Sequence, residues 1–220
     1  MPRAKYDGFA SLDWGFNAKF SCHWWDCLPD GRYYICREWV QSGVYAEDFA
    51  ERFWTITRED VGWVRPRYLV VGGDTKNRAG LKSPKGESVQ ETLRYYKLPV
   101  RDADRDRKNG WYRVHELLRP SPYGTPWLMV DPSCTYLIRT IANAPSDPDD
   151  EDEIDPKFTQ DHALEDIRYG AMSRPSATRI LTEVVTPGPN TAGALLAETQ
   201  HAIGRADILG SGNVRGRRVA

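Results

Sequence analysis

Three aspartates, Asp13, Asp74 and Asp161, stand where a folded chain can bring carboxylates together. Asp13 closes the apolar run Phe9-Ala10-Ser11-Leu12 and precedes Trp14-Gly15; Asp74 closes Tyr68-Leu69-Val70-Val71-Gly72-Gly73; Asp161 opens a helical segment with Glu165 one turn further on. An acid at the carboxyl end of a strand is delivered to the edge where open α/β sheets build their sites. Residues four apart on a helix share a face, so Asp161 and Glu165 point the same way. Ala163, Leu164, Ile167, Gly170 and Ala171 take the opposite, core-facing arc. Asp166, turned a further ~100° from Glu165, falls outside the pair. Crowded carboxylates repel one another unless a cation lies among them, and hard oxygen donors suit Mg2+ or Mn2+. Two such ions about 3.5–4 Å apart can activate a water and stabilise the leaving oxygen of a phosphodiester. Asp13, Asp74 and Asp161 are therefore the candidate metal-binding and catalytic set, with Glu165 as a fourth ligand or an outer acid.

Each acid also has a plain structural role open to it. Asp13 before Trp-Gly suits a turn, Asp74 after two glycines suits a turn or a cap, and Asp161 suits a helix cap. Their joint occurrence at strand and helix ends, in a compatible order, favours the site. His162, next to Asp161, is either an outer donor to the acids or exposed, with exposure favoured; His115 and His201 are expected at the surface. Cys22, Cys27, Cys36 and Cys134 form no C-x-x-C pair, and Cys22 and Cys36 lie in aromatic, strand-like runs expected to bury them. A G-x-x-x-x-G-K-[ST] phosphate loop and a G-x-S-x-G elbow are both missing, so nothing supports ATP hydrolysis or serine hydrolysis.

The net charge of −1 over 220 residues hides an uneven distribution. Lys76, Arg78, Lys82 and Lys85, with Arg105, Arg107 and Lys108, are candidate contacts to a nucleic-acid backbone. Asp147, Asp149, Asp150, Glu151, Asp152, Glu153 and Asp155 form an acidic run, expected to be a solvated loop. A hydrophobic content of 40% supports a core, no apolar run approaches the ~18 residues of a membrane span, and the first residues lack a secretory signal. A soluble intracellular protein is expected.

The elements that must position these acids follow from patterning. Residues 6–14, 19–28 and 32–40 read as an antiparallel three-stranded meander with a Pro29-Asp30-Gly31 turn. Residues 45–57 read as a helix, so the strand expected at 67–74 runs parallel to the first. A basic loop (74–86), a helix over 88–96 capped by Ser88, a strand at 98–100, a charged loop (102–109), a helix (110–118), a strand (127–130), a helix (134–141) and the helix from about 161 to 173 complete a domain spanning 1–175. Residues 176–220 read as a partly disordered tail, with an isolated helix near 192–203.

Ser11-Leu12-Asp13-Trp14-Gly15 followed by aromatic strands, Asp102-Ala103-Asp104-Arg105-Asp106-Arg107-Lys108-Asn109-Gly110-Trp111 with Val114-His115-Glu116-Leu117-Leu118, and Asp161-His162-Ala163-Leu164-Glu165-Asp166-Ile167-Arg168-Tyr169-Gly170 together resemble the nuclease domain of the large terminase subunit of tailed double-stranded DNA phages. The last segment is similar to that family's D-H-A-x-D-A-L-R-Y. The resemblance spans roughly residues 6–173. It implies an RNase H-like α/β fold, a mixed sheet with antiparallel first three strands and helices on both faces. It implies a metal-dependent endonuclease that cuts concatemeric viral DNA during genome packaging in the host cytoplasm, using Mg2+ or Mn2+ and two ions. Double-stranded DNA would be the substrate; the portal and small terminase subunit would be partners. By position Asp13, Asp74 and Asp161 match the acidic triad. Glu165 stands where the family often has a second aspartate, and Asp74-Thr75-Lys76 departs from the usual Asp-Pro-Ala. The family's amino-terminal ATPase motor is not expected in this chain. A catalytically inactive DNA- or portal-docking module is the alternative, and a junction resolvase a third option.

Overall fold

The computed structural model describes residues 8–82, 87–150, 153–155, 157–159 and 161–174. β1 (Gly8–Asp13), β2 (Phe20–Cys27) and β3 (Tyr33–Gln41) form the expected antiparallel meander. α1 (Ala46–Thr55) runs into a π-helical turn over Ile56–Asp60. β4 (Leu69–Val71) then pairs parallel to β1. A 3-10 turn over Gly73–Lys76, α2 (Val89–Tyr95), β5 (Val100–Asp102), α3 (Arg107–Leu118), β6 (Leu128–Val130), α4 (Thr135–Asn143) and α5 (His162–Met172) follow.

The strands form one sheet in the order β5-β4-β1-β2-β3-β6. Only β2 is antiparallel to its neighbours, so the other strands share a direction and their carboxyl ends meet at one edge. Two-residue alternation divides the side chains between two cores. Ala10, Leu12, Phe20, Cys22 and Trp24 pack with α1 and α2 on one face; Phe9, Trp25, Tyr33 and Ile35 pack with α3, α4 and α5 on the other. At a bulge, Trp24 faces Arg37 while Trp25 faces Ile35, and Cys36, the extra residue between them, is buried, as Cys22 is.

The local departures have local causes. The strand expected over 67–74 ends at Val71, because Gly72 and Gly73 turn the chain into a 3-10 segment carrying Asp74. The strand expected at 98–100 is shifted to Val100–Asp102 by pairing with β4. The charged stretch 102–109 is not all loop: the Asp106 side chain accepts from the Asn109 N–H at 3.1 Å and starts α3 there. Ser88 and Glu91 form the reciprocal cap that begins α2. The tail expected at 176–220 lies outside the described residues.

Candidate functional site

The sheet edge formed by the strand carboxyl ends collects the candidate acids. Asp13 ends β1 opposite Ser21, Asp74 follows β4 on the 3-10 turn, and Asp161 is the residue preceding α5, which packs on β1, β2 and β4. On β1 and β2 the alternation puts Ser11, Asp13, Ser21 and His23 on the α5 side, all buried. A polar stripe thus lies beneath α5, continuing from the paired aromatics Phe9 and Trp25 on the same face of the two strands.

Asp13 is 5% exposed. The His162 Nδ1–H donates to its Oδ2 at 2.6 Å. Burial pushes the Asp13 carboxyl up to about 6, against the lowering effect of His162 and with help from the charges of Asp166 and Glu165. The hydrogen bond to Asp13 raises the His162 imidazole, and the charges of Asp161 and Asp74 add to it. All three candidate aspartates therefore act on one imidazole. Asp161 makes no side-chain capping bond to its own helix. Gly72 is required by space, since a Cβ there would lie 2.8 Å from the Tyr169 ring and 3.1 Å from Asp13 Oδ1.

Glu165 is buried beneath two arginines. Arg107 Nη1 donates to its Oε1 at 2.5 Å, and Arg168 donates to Oε2 through Nε at 3.0 Å and Nη2 at 2.6 Å. The α5 core face is also wider than helical spacing predicts, because Glu165, Asp166 and Arg168 are buried along with the apolar arc.

Sequence reasoning undervalues one group and misses another. For His162 it favours exposure over an outer donor role, and the structure shows the donor role, bound to Asp13. Asp166 was set aside, yet it is fully buried and accepts from His23 Nδ1 at 2.5 Å. His23 Nε2 donates to Glu38 at 3.2 Å, and Glu38 accepts the Tyr136 and Leu137 N–H groups that open α4. Burial opposes a charge on His23, but Asp166 and Glu38 prevail and lift it to about 9. Burial raises the Asp166 carboxyl despite His23. The available signal was the polar alternation Ser11/Asp13 and Ser21/His23 inside otherwise apolar strands.

Among the candidate nucleic-acid contacts, Lys76 pairs with Asp102 at 3.2 Å, Lys82 with Asp48 at 2.5 Å, Arg107 with Glu153 as well as Glu165, and Lys108 with Asp150 at 3.6 Å. Arg105 lies against Gly73, Arg78 is exposed, and Lys85 lies outside the described residues.

The donor chemistry at this edge, carboxylates with one of them buried and unfavourably charged, fits a hard divalent cation. Among the described residues, however, no three His, Cys, Asp or Glu side chains are drawn together closely enough to hold one. No described helix is long and apolar enough to cross a membrane.

No protein-family model and no curated protein matches the sequence. Solved structures do match the fold. The large terminase of a thermophilic bacteriophage aligns with a TM-score of 0.61 at 19% identity, over 79% of this chain and 41% of that one. The P22 large terminase nuclease domain aligns with a TM-score of 0.54 at 19% identity, over 81% of this chain and 90% of that domain. The large terminase nuclease of thermophilic phage G20c, solved with bound cobalt, aligns with a TM-score of 0.52 at 12% identity, over 77% of this chain and 82% of that one. The fold is the RNase H-like fold of terminase nuclease domains. The chain spans about two fifths of the whole large terminase it matches.

Proposed function

We propose that this chain is a divalent-metal-dependent endodeoxyribonuclease that hydrolyses double-stranded DNA, in the manner of the nuclease part of a genome-packaging terminase. The observation that carries it is the placement of Asp13, Asp74 and Asp161 at one sheet edge, all acting on His162, in a fold shared with terminase nucleases. Those three aspartates are the proposed ligands for Mg2+ or Mn2+, as one ion or two. A neighbouring nuclease was solved with cobalt, which supports a divalent cation. Such an ion supplies Lewis acidity and an activated water.

The chain's own residues do the remaining work. Asp13 is held at one rotational setting by His162 and by the wall of Gly72 and Tyr169. His162 keeps the Asp13 carboxylate ionised in a buried position by donating to it. Arg107 and Arg168 fix Glu165, which on this geometry serves as an outer acid that balances the site's charge. Arg78, Arg105 and the paired cations Lys76, Lys82, Arg107 and Lys108 supply phosphate contacts; such contacts position a duplex without reading its sequence, so weak sequence preference is expected. Portal and small terminase subunit are proposed partners, and the host cytoplasm the proposed location.

A second proposal is a DNA- or portal-docking module without cleavage, in which the Asp13–His162 bond serves only to dock α5 on β1. Plasmid nicking in manganese, wild type against Asp13→Ala, tests the first. Calorimetric titration with manganese separates the two, because a docking module without the activity need bind no ion.

A further inference from the structure

Four of the bases near the site, Lys76, Lys82, Arg107 and Lys108, are paired with carboxylates within the fold, whereas Lys19 and Arg139 are gathered at a tyrosine ring instead. Lys19 lies in the turn that leads from Asp13 to β2, and its Nζ sits 5.0 Å from the centroid of the Tyr136 ring. Arg139, one turn along α4, places its guanidinium 5.3 Å from the same centroid. Both cations are exposed and Tyr136 is half-buried. Neither cation is within ion-pair distance of a carboxylate among the described residues, in contrast to Lys76, Lys82, Arg107 and Lys108.

The position of the ring ties this surface to the candidate site. Tyr136 is the first-turn residue of α4 whose N–H is held by Glu38. α4 follows β6, whose carboxyl end lies at the same sheet edge as that of β1. Two like charges gathered around one ring repel each other, and a cation–π contact at an exposed site offsets little of that. An anion placed between them does. A phosphodiester backbone presents such anions in a row, and an aromatic face between two bases suits it.

We infer that Lys19, Tyr136 and Arg139 form a backbone-binding surface that positions a DNA strand against the Asp13–Asp161 side of the site. This rests on the proposal that the substrate is DNA. The test is fluorescence anisotropy of a labelled duplex in buffer with EDTA, at several salt concentrations, with wild type, Lys19→Gln/Arg139→Gln, Tyr136→Leu, Tyr136→Phe and Arg58→Gln. Arg58 is a matched control: its guanidinium lies 5.1 Å from the Trp54 ring, which packs with α1 on the sheet face opposite α4. Loss of two phosphate contacts lowers the steepness of log affinity against log salt by about 1.8, and the affinity itself falls roughly tenfold or more at low salt. Tyr136→Leu is expected to weaken binding several-fold, while Tyr136→Phe and Arg58→Gln bind as wild type. A double variant with wild-type affinity and salt slope overturns the surface. A wild-type protein that binds no duplex overturns the DNA reading instead.

Discussion

His162 Nδ1 and Asp13 Oδ2 are 2.6 Å apart, joining the residue after Asp161 to the last residue of β1. The bond docks the start of α5 onto the end of the central strand, so helix and strand share one electrostatic unit. With burial holding Asp13 at about 6, the metal-free protein should show a carboxyl resonance titrating near that value by carbon NMR. His162→Asn removes a group that lowers it, so the resonance should move to higher pH. A shift the other way, or none, contradicts the assignment of His162 as the group that keeps Asp13 ionised.

Asp13→Asn keeps the shape of the side chain and removes its charge. If Asp13 contributes about 3–4 kcal/mol to the transition state, nicking in manganese falls by about two to three orders of magnitude. Thermal stability should not fall, since a buried carboxylate raised to about 6 is a burden on the fold at neutral pH. Undiminished nicking removes Asp13 from the mechanism.

The fold and the site were not equally legible. The meander, the parallel β4 and the ends of β1 and α5 follow from short-range signals: alternating apolar residues, the Pro29-Asp30-Gly31 turn, the Ser88 cap and the helix between two strands. These depend on neighbours in sequence, and they placed Asp13, Asp74 and Asp161 near element ends. The roles of His162 and Asp166 depend on which way α5 faces when it lies on the sheet. Helical spacing alone assigns a narrow apolar arc, whereas α5 is packed between the sheet and α3 and α4 and buries charged residues on further faces. The α5 charges meet Asp13, His23 and Arg107, all remote in sequence, and His23 in turn meets Glu38. Ser11, Ser21 and His23 were visible as polar residues inside apolar strands, but only docking shows what they serve.

The Asp166–His23–Glu38 chain predicts a pH dependence of stability. His23 has a folded value of about 9, above its ordinary 6.5. Its stabilising effect is therefore fully present below 6.5 and is lost as pH rises through about 9. Urea unfolding at pH 6.5 and pH 9.5 should show a drop in wild type of up to about 3 kcal/mol, at ~1.4 kcal/mol per pH unit. In His23→Gln the drop should shrink, and stability at pH 6.5 should fall because buried Asp166 and half-buried Glu38 lose their cation. Equal pH dependence in both proteins contradicts a charged His23.

Gly170 is fixed by packing. A Cβ there would lie 2.4 Å from Trp25, a buried ring anchored by its N–H to Ser11 Oγ at 2.8 Å. Gly170→Ala should cost about 1–3 kcal/mol by overpacking, read as a lower urea midpoint. Gly110→Ala meets the Arg168 side chain at 2.5 Å, and that flexible chain can move, so its cost should be smaller. The opposite order would mean that α5 shifts on the sheet more easily than Arg168 rearranges.

Glu165 offers the clearest separation of scaffold from site. It is buried and receives three hydrogen bonds from Arg107 and Arg168. Arg168 is itself nearly inaccessible, and it also donates to the Asp106 carbonyl at 3.2 Å, so it bridges α5 to the start of α3. Glu165→Gln leaves a buried guanidinium without its anion, a loss of about 3–5 kcal/mol. If Glu165 is an outer acid, the manganese stoichiometry from calorimetry stays at the wild-type value in protein that remains folded, while the unfolding midpoint drops. If Glu165 ligates the ion directly, affinity for manganese falls along with stability. Arg168→Lys distinguishes a packing defect from the lost pair: it keeps a cation near Glu165 but not the two-point contact. Its stability should lie between wild type and Glu165→Gln, with manganese binding unchanged. A Glu165→Gln protein that keeps its midpoint but loses an ion would return Glu165 to the ligand set.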